Sequence, residues 1–342
     1  MFSKTLRQLT IIFFAVFCAS ELFLRLVIPA SQTKQVSRPH MYEDHPELGY
    51  RLRKDLRTRV QASDGTKKLF NVTYQTDQFG RRIVPLSGTE QRQKHFVILG
   101  GSTVFGMGLP DHETLAHHLA SRAPNLLPYN YAGDGYGPQN AYTQVKLGLL
   151  ETEVEQAEGT TVFFFQMLNQ SGGHVQTLLG SFELLLQGWG ESLSFYDIDA
   201  SGAREPEYLG RMLEFDPIKF YLFRFLQNSH LLNTVYPRLF PISEEQLEKT
   251  AVFIREMKKQ VLRSKPKTRF VVAFHPLSDR NSILPLKKLF EDEGIETFDF
   301  SQIVAEQDLP SHIAFNRYFP HPNGKLNSLF AEKLIEDLKL KQ

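Results

Sequence analysis

Cysteine is almost missing from this chain of 342 residues: the one thiol, Cys18, falls in an apolar N-terminal stretch. That excludes an intrachain disulfide, a cysteine metal site and a cysteine nucleophile in the folded part. Charge of one sign is missing too, since 39 Lys and Arg stand against 38 Asp and Glu with no long run of either. Nothing in that balance offers a basic surface to nucleic acid or asks for a strongly charged partner. There is no internal repeat and no low-complexity tract. No His, Asp and Glu spacing matches a metal-ligand pattern, so the sequence calls for neither a metal nor another cofactor.

A long hydrophobic run is present, once, at the start. Lys4 and Arg7 precede LTIIFFAVFCASELFLRLVIPA, which is close to the roughly 20 residues that a bilayer span needs. The basic flank is expected to stay in the cytoplasm. Glu21 and Arg25 sit inside the run at i,i+4 spacing, where they can pair on one helix face or reach the outer interface. A cleaved signal peptide is the rival reading, with 11–17 as its apolar region. The cut sites after Ser20 or Ala30 fit the small-x-small rule poorly, Ile28 being three residues before the second. The expectation is therefore an uncleaved single-pass anchor in the cell membrane over residues 1–30, with the rest of the chain extracytoplasmic, in the periplasm or outside the cell.

Residues 31–93 are polar and punctuated by Pro39, Gly49 and Gly80, with alternating segments between, and predict a small β-rich lead-in. From His95 the pattern changes. Strands are predicted at 96–100, 128–132, 161–166, 269–274 and 296–300, and helices at about 112–122, 138–151, 280–293 and 324–338. Continuously apolar strands such as TVFFFQM and RFVVAFH, separated by helical patterns, predict an α/β domain over 94–342 built on a doubly wound parallel sheet. Between about 174 and 245 an aromatic- and leucine-rich insertion breaks the rhythm, as a lid or binding appendage does. Its stretch FDPIKFYLFRFL reads as core or lid, or as a surface against lipid if it is exposed beside the anchor.

Ligands of such sheets bind beyond the carboxyl ends of the strands. Past the first strand lies Ser102, inside GGSTVFGMG; past the second, Asn130, Gly133, Gly135 and Gly137; past the third, Asn169. His275 and Asp279 follow the fourth strand, Asp299 ends the fifth, and His321 precedes the last helix. A hydroxyl, a base and fixed amide donors are what acyl transfer requires: His takes the serine proton, and N–H groups hold the oxyanion. The phosphate-loop pattern is absent here, and the Gly-x-Ser-x-Gly elbow fails because Val104 holds its last position. Read singly, Ser102 and Gly135 fit plain turns, Asn169 fits a turn cap or a glycosylation acceptor, and His275 fits a strand end bonded to backbone.

In their order, Gly-x-Ser, then Asn-x-x-x-x-Gly, a lone Asn and His-Pro-Asn, these residues resemble the SGNH (GDSL-like) hydrolase family. The match covers about 95–340 apart from the insertion, and implies a three-layer sandwich. It makes Ser102 the nucleophile, Gly135 and Asn169 the second and third oxyanion donors, and His321 the base. HPELGYRLRKD, DQFGRR and the Glu21/Arg25 pair are similar to the N-terminal region of membrane-anchored bacterial members.

The chain departs from the family in three places. Gly-Asp-Ser reads Gly100-Gly101-Ser102, Asn-Asp reads Asn169-Gln170, and the acid two or three residues before the histidine is replaced by Tyr318 and Phe319. Three readings stand. Asp299, with Asp279 behind it, supplies the acid; or Ser102 and His321 work as a dyad held by a backbone carbonyl; or the site is inactive and the fold serves glycan binding or envelope assembly. The expected activity is that of a serine esterase or acyltransferase acting on O-acyl groups, such as O-acetyl, of a surface or exported glycan or another small ester. His275 and Asp279 are reserve site residues.

Overall fold

Five strands form one sheet, the three inner ones continuously apolar over most of their length: β6 (Lys94–Gly100), β7 (Leu126–Asn130), β8 (Glu158–Phe165), β11 (Lys267–Phe274) and β12 (Glu296–Asp299). The computed structural model describes residues 4–27, 35–37, 40–63, 67–166, 194–226, 229, 231, 243–315 and 320–340. In space the strands run β12-β11-β8-β6-β7, and every pairing among them is parallel. The first strand of the sheet in chain order is thus flanked by the second and the third. Strand order reverses there, and the gap between the carboxyl ends of β6 and β8 is the point at which doubly wound sheets bind ligands.

Both faces of the sheet are covered, because side chains of period two supply two separate cores. Phe96 and Ile98 of β6, Val162 and Phe164 of β8, and Val271 and Ala273 of β11 join one cluster. Their sequence neighbours Val97, Leu99, Phe163, Phe165, Val272 and Phe274 join the other. Helix α3 (Leu115–Arg122) packs with α11 (Gly324–Asp337) on the first side. On the second side α8 (Glu244–Ser264) packs against α4 (Pro138–Lys146) and α9 (Arg280–Asp292). The helix expected over 138–151 breaks into α4 and α5 (Leu149–Glu153) at Gly148, whose φ of 73° only glycine adopts freely.

The lead-in forms strands β1 (Gln35–Ser37), β2 (Tyr42–His45), β3 (Gly49–Leu52), β4 (Arg57–Ser63) and β5 (Lys68–Gln75). β4 alternates exposed and buried residues, and its buried Val60 and Ala62 join Leu52, Phe70 and Tyr74 in the same cluster as Phe96 and Ile98. The lead-in therefore shares the core of the α/β sheet. Within the insertion, β9 (Ser194–Asp197) and β10 (Glu207–Arg211) form an antiparallel hairpin, followed by α6 (Met212–Phe215) and α7 (Pro217–Leu226). A single residue, Gly101, and then a four-residue helix, α2 (Ser102–Phe105), follow β6, and α10 (Leu309–His312) precedes the last loop.

Helix α1 (Lys4–Val27) stands apart from these layers. Its segment Arg7–Leu26, 20 residues of mean hydropathy 2.0, is long and apolar enough to cross a membrane; a signal sequence at the N-terminus has the same character.

Candidate active site

The turn after β6 is built around glycine. Gly100 has a φ of 151°, and a Cβ on it would meet the Phe164 carbonyl oxygen and Val104 Cγ2 at 2.9 Å. A Cβ on Gly101 would stand 3.1 Å from the Tyr136 carbonyl oxygen. The chain thus passes between β8 and the loop after β7 before it delivers Ser102, the first residue of α2. The Ser102 carbonyl accepts from the N–H groups of Gly106 and Met107 at 3.2 and 3.0 Å, which closes the loop beneath the side chain.

From behind, Arg82 holds this loop. Its guanidinium donates to the carbonyl oxygens of Phe105, Gly106 and Leu109 and pairs with Asp111 at 2.9 Å. It lies over the Tyr74 and Phe105 rings and is 2% exposed. Three backbone acceptors and one carboxylate satisfy most of a guanidinium's five donors, which is the condition for burying one. Asn130, also buried, ties β7 to the same turn: its Oδ1 accepts from Ala132 N–H at 3.1 Å and its Nδ2 donates to the Val104 carbonyl at 3.4 Å.

His321 comes from the far end of the sequence and meets Ser102 here, with Nε2 2.9 Å from the serine Oγ. A small antiparallel loop presents it. The Ala314 N–H donates to the His321 carbonyl at 2.8 Å, Ile313 bridges Pro322, and the Asn323 N–H donates to the His312 carbonyl. Asn323 then caps α11 by accepting from Leu326 N–H at 3.0 Å. The His321 ring packs edge-on against Phe315, is 3% exposed, and so has a fixed orientation. Tyr318 and Phe319, the two residues in place of the expected local acid, lie outside the described residues.

The loop carrying Gly135 is stitched to the turn that delivers Ser102, the Gly133 N–H donating to the Gly100 carbonyl at 3.1 Å. Gly135 has a φ of 75°, so the loop's conformation requires a residue without a Cβ. The lead-in braces it: Tyr50 OH donates to the Asp134 carbonyl at 2.6 Å, and Tyr136 OH donates to the Tyr50 carbonyl at 2.7 Å. Burial pushes the Tyr136 phenol above the ordinary tyrosine range, which keeps it a neutral donor. Asn169 lies outside the described residues.

The three remaining polar residues of the rim are held elsewhere. Asp299 Oδ1 accepts from both the N–H and the hydroxyl of Ser301, at 2.9 and 2.6 Å. β12 is also three strands from β6, about 14 Å at the usual spacing. Among the described residues no hydrogen bond joins Asp299 to His321. Asp279 caps α9 through the Ser282 N–H, at 2.9 Å. His275 is 1% exposed, accepts from Leu277 N–H at 3.2 Å and lies edge-on against Phe330; burial lowers its pKa to about 3. The geometry thus brings Ser102 to His321 and leaves Asp299, Asp279 and His275 in local turns and caps. No described group of three or more His, Cys, Asp or Glu side chains could hold a metal ion.

Arg82 and the Tyr50–Tyr136 pair are the site's supports that residue patterns did not single out. The available signals were the second arginine of DQFGRR and the tyrosine between Gly135 and Gly137, and neither has a partner close in sequence.

The sequence matches no protein-family model and no curated protein. Solved structures similar to it include a member of the lipolytic protein G-D-S-L family from Veillonella parvula, at 12% identity and a TM-score of 0.38 over 72% of this chain and 98% of that one. A lipolytic G-D-S-L protein from Desulfitobacterium hafniense gives 12% and 0.36, covering 70% and 96%. The acetyl xylan esterase Est2A from Butyrivibrio proteoclasticus gives 11% and 0.37, covering 76% and 66%. Likenesses of this size leave the chemistry of this chain to its own residues.

Proposed function

We propose that the chain is a serine hydrolase or acyltransferase that works through an acyl-serine, and the 2.9 Å approach of Ser102 Oγ to His321 Nε2 carries the reading. A hydroxyl at hydrogen-bond distance from an imidazole nitrogen is the nucleophile and base of acyl transfer. In this reading Ser102 Oγ bonds to the acyl carbonyl carbon while its proton passes to Nε2. The N–H groups of Ser102 and Gly135 and the Asn169 amide are the donors assigned to the oxyanion. Collapse breaks the ester bond, and the leaving alkoxide takes the proton from Nε2. Water then gives a proton to Nε2 and adds to the acyl carbon. The second collapse releases the acid and returns the proton to Oγ; an acceptor hydroxyl in place of water makes the same step a transfer.

The substrate we assign is an O-acyl group, such as acetyl, on a surface or exported glycan. Support comes from the apolar helix at the N-terminus, which sets the remaining residues outside the cytoplasm if it remains as an anchor with its basic end inside. The test is labelling with a fluorophosphonate. Wild type is expected to label and Ser102→Ala to lose all label, with folding checked by circular dichroism. A wild type that neither labels nor hydrolyses acetyl esters overturns the acyl-serine reading and leaves a non-catalytic role in glycan binding or envelope assembly.

A further inference from the structure

We propose that helix α7 lies in the bilayer surface beside α1, so that the insertion is a second, in-plane membrane contact of this protein. Ile218, Tyr221, Leu222 and Phe225 follow the i, i+3, i+4, i+7 spacing of one helix face. Ile218 is 82% and Phe225 81% exposed, while Phe220 on the opposite face is buried. Leu213 and Phe215 of the preceding turn, both exposed, extend the patch. Apart from α1, the exposed large apolar side chains of the described residues are concentrated in this stretch. A contiguous apolar patch of that kind marks a surface that meets something other than water.

Its position identifies the occupant. Just beyond the end of α7, Ser229 Oγ and the Leu231 N–H both donate to Glu21 Oε2, at 2.9 and 3.0 Å, while Glu21 Oε1 accepts from Arg25 Nε at 2.8 Å. Glu21 lies five residues before the end of the span-length segment at Leu26, about 8 Å along the helix axis. The patch is therefore fastened to α1 at the depth where headgroups meet acyl chains, the level at which amphipathic helices and tyrosines settle. A lipid surface fits an apolar face continuous with a span. The inference rests on the reading that α1 enters the bilayer.

The contact has a consequence for the site. The β9–β10 hairpin before α7 is bonded to the lead-in, Ser194 Oγ donating to the Glu47 carbonyl and Tyr208 OH to the Pro46 carbonyl, both at 2.6 Å. The lead-in in turn braces the Gly135 loop through Tyr50. Seating α7 in lipid fixes the height and tilt of the Ser102–His321 pair above the membrane.

The test uses full-length protein in phosphatidylcholine vesicles. An environment-sensitive fluorophore is attached to native Cys18, or in a Cys18→Ser background to Phe225→Cys, Ile218→Cys or, as the control in water, Glu332→Cys. Spin-labelled acyl chains are expected to quench the probes at 18, 225 and 218 by about twofold or more, the effect of apolar side chains seated among acyl chains, and to spare the one at 332. If 18 is quenched but 225 and 218 respond to aqueous iodide as 332 does, the in-plane contact fails while the anchor stands. If 225 and 218 are shielded from both quenchers, another protein surface covers the face and the proposal fails. An unquenched probe at 18 overturns the membrane reading itself. Circular dichroism excludes misfolding of the three cysteine variants, each of which replaces an exposed side chain.

Discussion

The carboxyl ends of β6 and β12 lie on one rim of one sheet, three strands apart, and both carry polar side chains that suit a catalytic role. At the β6 end the glycine turn leaves Ser102 facing a histidine 219 residues away in sequence. At the β12 end Asp299 turns back on Ser301, two residues on, and the neighbouring Asp279 on Ser282, three residues on. The difference is one of local supply. Asp with a nearby Ser and free backbone N–H groups satisfies itself within a turn or a cap, whereas a serine between glycines and a helix start is left available to a distant partner. Position at a strand's carboxyl end is necessary for a site in this architecture but does not select the residues.

That contrast can be broken most directly at the β6 end. Ser102→Ala and His321→Ala are each expected to lower ester turnover by about 10³-fold or more, and the double variant to be no worse than either, because groups that act as a unit do not add. Additive losses would mean that the two do not share one step. The next largest effect is expected behind Ser102: Arg82→Met leaves the Asp111 carboxylate without its buried partner, and denaturant unfolding is expected to show a loss of about 3–5 kcal/mol. A loss under about 1 kcal/mol would show that the loop holds itself.

The β11 end is sharpened by titration. Burial lowers the pKa of His275 to about 3 and that of His95 to about 4. For a histidine held neutral in the fold, the unfolded chain binds the proton first as pH falls below about 6.5. Stability is full above that value and declines through the folded pKa, by about 1.4 kcal/mol per pH unit for each group. Unfolding free energy measured from pH 7 to 4.5 is expected to fall accordingly, and His275→Gln to remove one histidine's share of the slope. An unchanged slope would place His275 in contact with water. The smallest effect is expected from Asp299→Asn, with turnover within about threefold of wild type; a loss approaching 10⁴, the scale of a missing triad carboxylate, would put Asp299 in the catalytic machinery and erase the contrast between the two ends.

Much of this architecture is legible in one dimension. Apolar runs flanked by helical periods give the inner parallel strands, because each of these is covered on both faces. Glycines around Ser102 give the turn, because a Cβ on Gly100 has no room against β8. Asp279, a reserve site residue for its place after the fourth strand, is a helix cap instead, accepting from Ser282 N–H three residues on. A sequence alone could not assign Asp299, because a carboxylate after a strand reads the same whether it faces a histidine or its own turn. Tertiary structure alone supplies Arg82 to the back of the Ser102 loop, Tyr50 to the Gly135 loop across 84 residues, and Ser229 to Glu21 across 208. Patterns with a period of two or four residues arise from backbone geometry and are written locally, while these contacts depend on which surfaces the packed layers bring face to face, and no spacing along the chain encodes that.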